Sequence, residues 1–136
     1  MVGINIQAPF AEQLLNGEKC VETRGYHLPP KHAGEELAVI ETPGKHGNFK
    51  ARIIGTITFS HSFEYLSETD WKYDYNRHLV DENDPLYGWN DDKYKYGWVV
   101  SDFTKFDEPL PAPERKGIVF TNDCDVESAA SGIGIY

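Results

Sequence analysis

Hydrophobic and polar positions along this chain change period several times, and each change marks an element. Val2, Ile4 and Ile6 alternate with Gly3 and Asn5, the two-residue period of a strand. From Pro9 to Asn16 the period lengthens. Phe10, Ala11, Leu14 and Leu15 recur at helical spacing, Pro9 suits the first turn, and the Asn16-Gly17 pair suits the end. Glu36 to Glu41 alternates again, with Leu37, Val39 and Glu41 on one face and Ala38 and Ile40 on the other. Ala51 to Phe59 is rich in β-branched residues, and Gly55 within it predicts a bend or bulge. A second helix is expected from Leu66, N-capped by Ser67 with Asp70 three residues on, its apolar face made of Leu66, Trp71, Tyr75 and Leu79. Tyr94, Tyr96, Trp98 and Val100 then alternate with Lys93, Lys95, Gly97 and Val99 as a strand. Three prolines between Asp107 and Lys116 predict a bend, and Gly117 to Thr121 a closing strand.

The stretches between are turn-forming: Tyr26 to Gly34, Thr42 to Asn48, and the acidic Val80 to Asp92. Five or six short strands with two or three flanking helices predict a small α+β domain of β-barrel type over residues 1–121. Residues 122–136, small and polar, are expected to be a loosely held tail.

Composition narrows the class. At 136 residues and 40% hydrophobic, the chain is expected to be one folded domain. No apolar run approaches membrane-spanning length and the start lacks a basic-then-apolar pattern, so no membrane partner is expected. Cys20 and Cys124 form no disulfide framework and lack C-x-x-C spacing, which suits a reducing compartment: the cytoplasm, or the nucleus in a eukaryote. Five dispersed histidines show no close ligand spacing, so neither a metal nor another cofactor is expected.

The net charge of −9 lies wholly in the second half. Residues 1–61 carry six basic and six acidic side chains, residues 62–136 seven and sixteen. Phosphate neutralisation dominates nucleic-acid affinity, so so acidic a chain suits no extended duplex footprint. Contact with RNA or a nucleotide should come through the neutral first half, while the acidic half suits a basic protein partner.

The densest chemistry is Gly17-Glu18-Lys19-Cys20-Val21-Glu22-Thr23-Arg24. Glu22 and Arg24 share one face of a strand, and Lys19 converges with them only if it still lies in the preceding turn. Lined along a cleft, Arg24 would fork onto a phosphate or base edge and Glu22 would accept from a nucleobase amine. Lys19 near a second cation would have a lowered pKa and could serve as a base. An internal ion pair fixing register is the competing reading of Glu22 and Arg24. Lys45, His46, Lys50 and Arg52 read equally as a phosphate-contacting loop or a charged hairpin. Of the aromatic residues, Tyr26 and Trp98 are the first candidates to stack a splayed base.

Gly17, Lys19, Glu22 and Arg24 fit the G-x-K-x-x-E-x-R signature of ASCH domains (activating signal cointegrator homology) of the PUA-like superfamily, which the chain resembles over roughly residues 3–121. Gln7 to Ala11 is similar to the lead-in of that family's first helix, and Tyr96 to Phe120 to its closing strands. The resemblance implies a PUA-like β-barrel binding RNA or a modified nucleotide in a cleft edged by Lys19, Glu22, Arg24 and Tyr26. Some members remove the acetyl group of N4-acetylcytidine with a Lys, a Thr and a distant Glu, and some are described as ribonucleases. Lys19 matches that Lys, Glu22 stands at the Thr position, a departure from that pattern, and the resemblance of Leu66-Ser67-Glu68 to the segment before the distant Glu implies Asp74 as its counterpart. The alternative is therefore a small hydrolase with Lys19 as base and Glu22 or Asp74 assisting. An acidic protein-interaction module is the third reading.

Overall fold

A computed structural model describes residues 1–44, 47–114 and 117–127. Six strands form one sheet: β1 (Gly3–Gln7), β2 (Val21–Arg24), β3 (Glu36–Thr42), β4 (Arg52–Glu64), β5 (Tyr96–Pro111) and β6 (Phe120–Thr121), in the order β2-β5-β4-β3-β1-β6. Only β1 and β3 pair in parallel. Helices α1 (Phe10–Leu15), α2 (Glu68–Tyr73) and α3 (Tyr75–His78) flank the sheet, with a 3-10 turn at Pro30–His32. None of the described helices is long and apolar enough to cross a membrane.

The sheet is buried on both sides at its centre. Leu37 and Val39 of β3 join Ile4, Ile6, Ala11, Leu14, Ile57, Phe59 and Trp98 in the main core under α1. Their alternates Ala38 and Ile40 meet Ile53 and Cys124 in a second cluster on the other face. The alternation in β3 thus separates two apolar clusters rather than core from solvent. Gly55 sits at the predicted irregularity: both of its ladders shift register at Ile54, and a β-carbon on Gly55 would stand 2.2 Å from the Thr104 carbonyl oxygen.

The sheet curls as a half-barrel. Its two ends approach one another: Arg24 on β2 donates to the Asn5 carbonyl on β1 at 3.0 Å, and Trp98 on β5 stacks on Phe120 of β6 with centroids 6.3 Å apart. The signature residues therefore lie where the sheet nearly closes.

Three expectations are corrected. The second helix breaks at Asp74 into α2 and α3, and of its expected apolar face Leu66 is 78% exposed while Trp71 is fully buried. The proline-rich segment does not bend away: β5 runs on through Pro109 to Pro111. Past Val99 it has β4 as its sole ladder neighbour, and proline is tolerated on such an edge. The closing strand is only two residues long. Beyond it the chain stays attached as far as Cys124, whose backbone exchanges hydrogen bonds with Met1. Residues 128–136 of the expected tail lie outside the described residues.

Candidate functional site

The end of α1 fixes where Lys19 goes. Gly17 takes a left-handed φ of +78°, the backbone N–H groups of Glu18 and Lys19 return to the Gln13 carbonyl, and the Cys20 N–H reaches the Arg77 carbonyl of α3 at 2.9 Å. Lys19 is thus still in the turn when β2 begins. Its ammonium folds beneath the chain, donating to the His78 carbonyl at the end of α3 and lying 3.7 Å from Glu22 Oε1 and 4.9 Å from the Phe10 ring. A helix C-terminus offers unpaired carbonyls, and a cation suits it.

Glu22 and Arg24 share the inward face of β2, as alternation requires. Glu22 Oε2 accepts from Arg24 Nε at 3.2 Å and Nη2 at 2.9 Å. With the bond to Asn5, these contacts use three of the guanidinium's five donors. Lys19 is 1% exposed and Glu22 6%. Burial drives the Lys19 amine below the ordinary lysine pKa, with Glu22 opposing and Arg24 assisting. Burial also acts to lower Arg24, but Glu22 and Tyr26 more than offset it and hold the guanidinium cationic.

These three side chains line a pocket of about 200 Å³, walled by Asn5 and Gln7 of β1, Phe10 and Tyr87. Tyr87 comes from the acidic loop, which folds across the pocket instead of standing off in solvent. Its hydroxyl pairs with the Gln7 side chain and its ring packs edge-on against Phe10. Loop carboxylates make this geometry: Asp84 Oδ1 accepts from the Leu86 and Tyr87 N–H groups, both at 2.8 Å, and Asp81 from that of Asn83 at 2.7 Å.

The remaining candidates lie elsewhere. Asp74 stands at the α2–α3 junction, tied to Arg77 by bonds of 2.6 and 2.8 Å and to the Tyr65 hydroxyl, and does not line the pocket. Trp98, a candidate to stack a base, is fully buried. Its indole N–H donates to the Tyr26 carbonyl, Phe120 stacks on its ring, and the Arg24 guanidinium lies over that ring at 5.6 Å. Tyr26 is 40% exposed beside Trp98, outside the lining. Arg52 pairs with Glu41 at 3.0 Å and covers the Phe49 ring, Lys50 is exposed, and neither lines the pocket. Lys45 and His46 lie outside the described residues. Among those described, no three His, Cys, Asp or Glu side chains come together as a metal site would need.

No family model matches the sequence, and no curated protein matches it by sequence. Among solved structures, the crystal structure of the ASCH protein from Zymomonas mobilis matches with a TM-score of 0.69 at 13% identity, over 98% of this chain and 93% of that one. Two mutant forms of that protein give TM-scores of 0.67 and 0.68 at 14% and 13% identity, over 98% of this chain and 94% and 96% of theirs. This chain has the ASCH fold. At such identity the likeness fixes the path of the backbone and leaves the chemistry to the residues present.

Sequence reasoning missed Asn5, Tyr87 and His78. Asn5 carried a signal, a polar residue inside an apolar strand, and is 93% buried, its amide donating to the Val119 carbonyl and the Thr121 hydroxyl. His78 supplies the carbonyl for Lys19 while its ring is locked: Nε2–H donates to the Trp71 carbonyl at 2.7 Å and Nδ1 accepts from the Val80 N–H at 2.9 Å. That pattern requires the neutral imidazole. Burial lowers its pKa from 6.5, helped by Lys19 and Lys95. Between the folded and unfolded values the unfolded chain binds the extra proton, so stability is complete above pH 6.5 and falls as pH drops from there through the folded pKa. NMR titration of the His78 ring should place its midpoint below the ordinary histidine value. Titration at the ordinary value contradicts the assignment.

Proposed function

We propose that this ASCH-fold chain binds RNA, or a nucleotide or modified nucleoside, with one base in the pocket of Lys19, Glu22 and Arg24. The observation carrying this reading is that two cations and a carboxylate, of which Lys19 and Glu22 are nearly sealed from solvent, converge on a pocket instead of being packed over. At about 200 Å³ the pocket is smaller than the roughly 300–1,000 Å³ of drug-sized sites, which suits a single base. Lys19 supplies donors and Glu22 an acceptor side by side, the complement of a base edge carrying a carbonyl and an amine.

A second reading, a small hydrolase acting on a modified nucleoside or RNA, draws on the lowered Lys19 pKa, since an amine shifted toward neutrality can take a proton. Glu22 is the one candidate partner within its reach, because Asp74 is held by Arg77 and Tyr65. Incubation with plain and modified nucleosides and short RNAs, read by mass spectrometry, separates the two. Product from the wild type and none from Lys19→Ala means a hydrolase. Saturable binding without product means a binding module. Arg24→Ala should then weaken binding about tenfold or more and reduce the slope of log affinity on log salt by about one contact. Unchanged affinity and slope in that variant would remove Arg24 from the ligand.

A further inference from the structure

Beside the inner pocket runs a second cleft of about 230 Å³, and Thr23, Arg24 and Tyr87 line both. Its other wall is the segment leading into β5, with Lys93, Tyr94 and Lys95. Charge sets it apart. The chain carries 22 acidic side chains against 13 basic ones, yet this cleft is lined by Arg24, Lys93 and Lys95 and, among the described residues, by no carboxylate. Glu22, 2.9 Å from Arg24, lines the inner pocket and not this cleft, and the loop acids are turned into their own loop, Asp84 onto the Leu86 and Tyr87 N–H groups and Asp91 onto the Trp89 indole at 2.8 Å. Lys95 is fixed, donating to the Tyr87 carbonyl at 2.6 Å and lying 5.0 Å over the Trp71 ring. Tyr94 is 71% exposed along the rim.

Lys93 and Lys95 meet no carboxylate in this lining, and Arg24, paired with Glu22 on its other side, adds a third cation to the concavity, which suits an anion; Arg24 also joins it to a pocket that suits a neutral polar edge. We infer that the outer cleft holds the phosphate of the nucleotide whose base enters the inner pocket, so the ligand is a phosphorylated nucleotide rather than a free nucleoside. The inference rests on the base-binding reading of the inner pocket. The phosphate is either the monoester of a mononucleotide or a diester of a single strand, with Tyr94 placed to stack on the adjoining sugar or base. In sequence, Lys93 and Lys95 pass for ordinary solvated positions alternating with aromatic ones. What distinguishes them is that the loop bearing Tyr87 folds back against them.

The test compares dissociation constants of the four ribonucleosides, their monophosphates, a short single-stranded oligoribonucleotide and inorganic phosphate, for the wild type and Lys93→Glu. Lys93 is exposed, so its replacement spares the core. The wild type should bind a monophosphate about tenfold or more tighter than its nucleoside, the effect of one or two charge-assisted bonds. Lys93→Glu should abolish that difference while leaving nucleoside affinity unchanged. Tighter binding of the oligonucleotide than of any monophosphate identifies the diester, and the reverse the monoester. Equal affinity of the wild type for nucleoside and monophosphate overturns the cleft's role while leaving the inner pocket intact. If no nucleoside or nucleotide binds, the base reading fails. Inorganic phosphate then decides the cleft alone, shifting the backbone amides of Gly25, Lys93 and Lys95 or overturning the inference by leaving them unmoved.

Discussion

Glu22→Ala should cost about 3–5 kcal/mol of stability, because it leaves two buried cations without their shared counter-charge. Lys19 is almost fully enclosed, and Arg24 has both Nε and Nη2 on the same carboxylate oxygen. Their mutual repulsion and desolvation, balanced by Glu22 in the native protein, would then go unopposed. For a domain of this size the unfolding midpoint should fall by about 10 °C or more. Glu22→Gln, which keeps the shape and one acceptor, should lose less. Adding Lys19→Met to Glu22→Ala should recover part of the deficit, since one of the two orphaned cations is then gone. Chemical denaturation with unchanged m-values is the check. A loss under about 1 kcal/mol would mean the cluster is solvated like a surface pair.

Lys19→Met alone should have opposite effects on the fold and on the ligand. Methionine matches the length of the lysine stem and packs against Phe10, while the cost of burying an ammonium disappears. Glu22 keeps its two bonds to Arg24. Stability should therefore hold or rise. Binding should fall by roughly ten- to a hundredfold, the effect of a lost hydrogen bond to a charged group. A lysine kept only for the fold predicts the reverse, a destabilised protein with no change toward any ligand. Measuring both quantities on one variant separates these cases.

Much of this architecture is legible in the chain because local signals agree with the packing. Ser67 caps α2 through the Asp70 N–H, β3 buries both of its alternating faces, and Gly55 lies where the ladders slip. The convergence of Lys19 with Glu22 and Arg24 follows from the same reasoning, since a residue out of phase with a strand must come from the turn before it. What local pattern does not carry is long-range. Trp98 looks like a stacking platform because strand periodicity says nothing about which face the curled sheet encloses. The acidic loop reads as surface, although Asp81 and Asp84 fold it and bring Tyr87 to Gln7, eighty residues away in sequence. Lys93 and Lys95 meet Arg24 only through that same loop. Asp74 resembles a catalytic acid by position, while Arg77 and Tyr65 hold it below the ordinary carboxylate pKa: burial alone would raise it, and their hydrogen bonds prevail.

The pocket of Lys19, Glu22 and Arg24 is the proposed ligand site. The most direct measurement is a two-dimensional amide spectrum of the wild type and of Lys19→Met, each titrated with nucleosides, nucleotides and short RNAs. Saturable shifts are expected in the wild type, concentrated at Asn5, Gln7, Thr23, Arg24 and Tyr87, and should be lost in the folded Lys19→Met protein. Shifts confined to another face, or identical in both proteins, would show that these buried charges serve the fold and not a ligand.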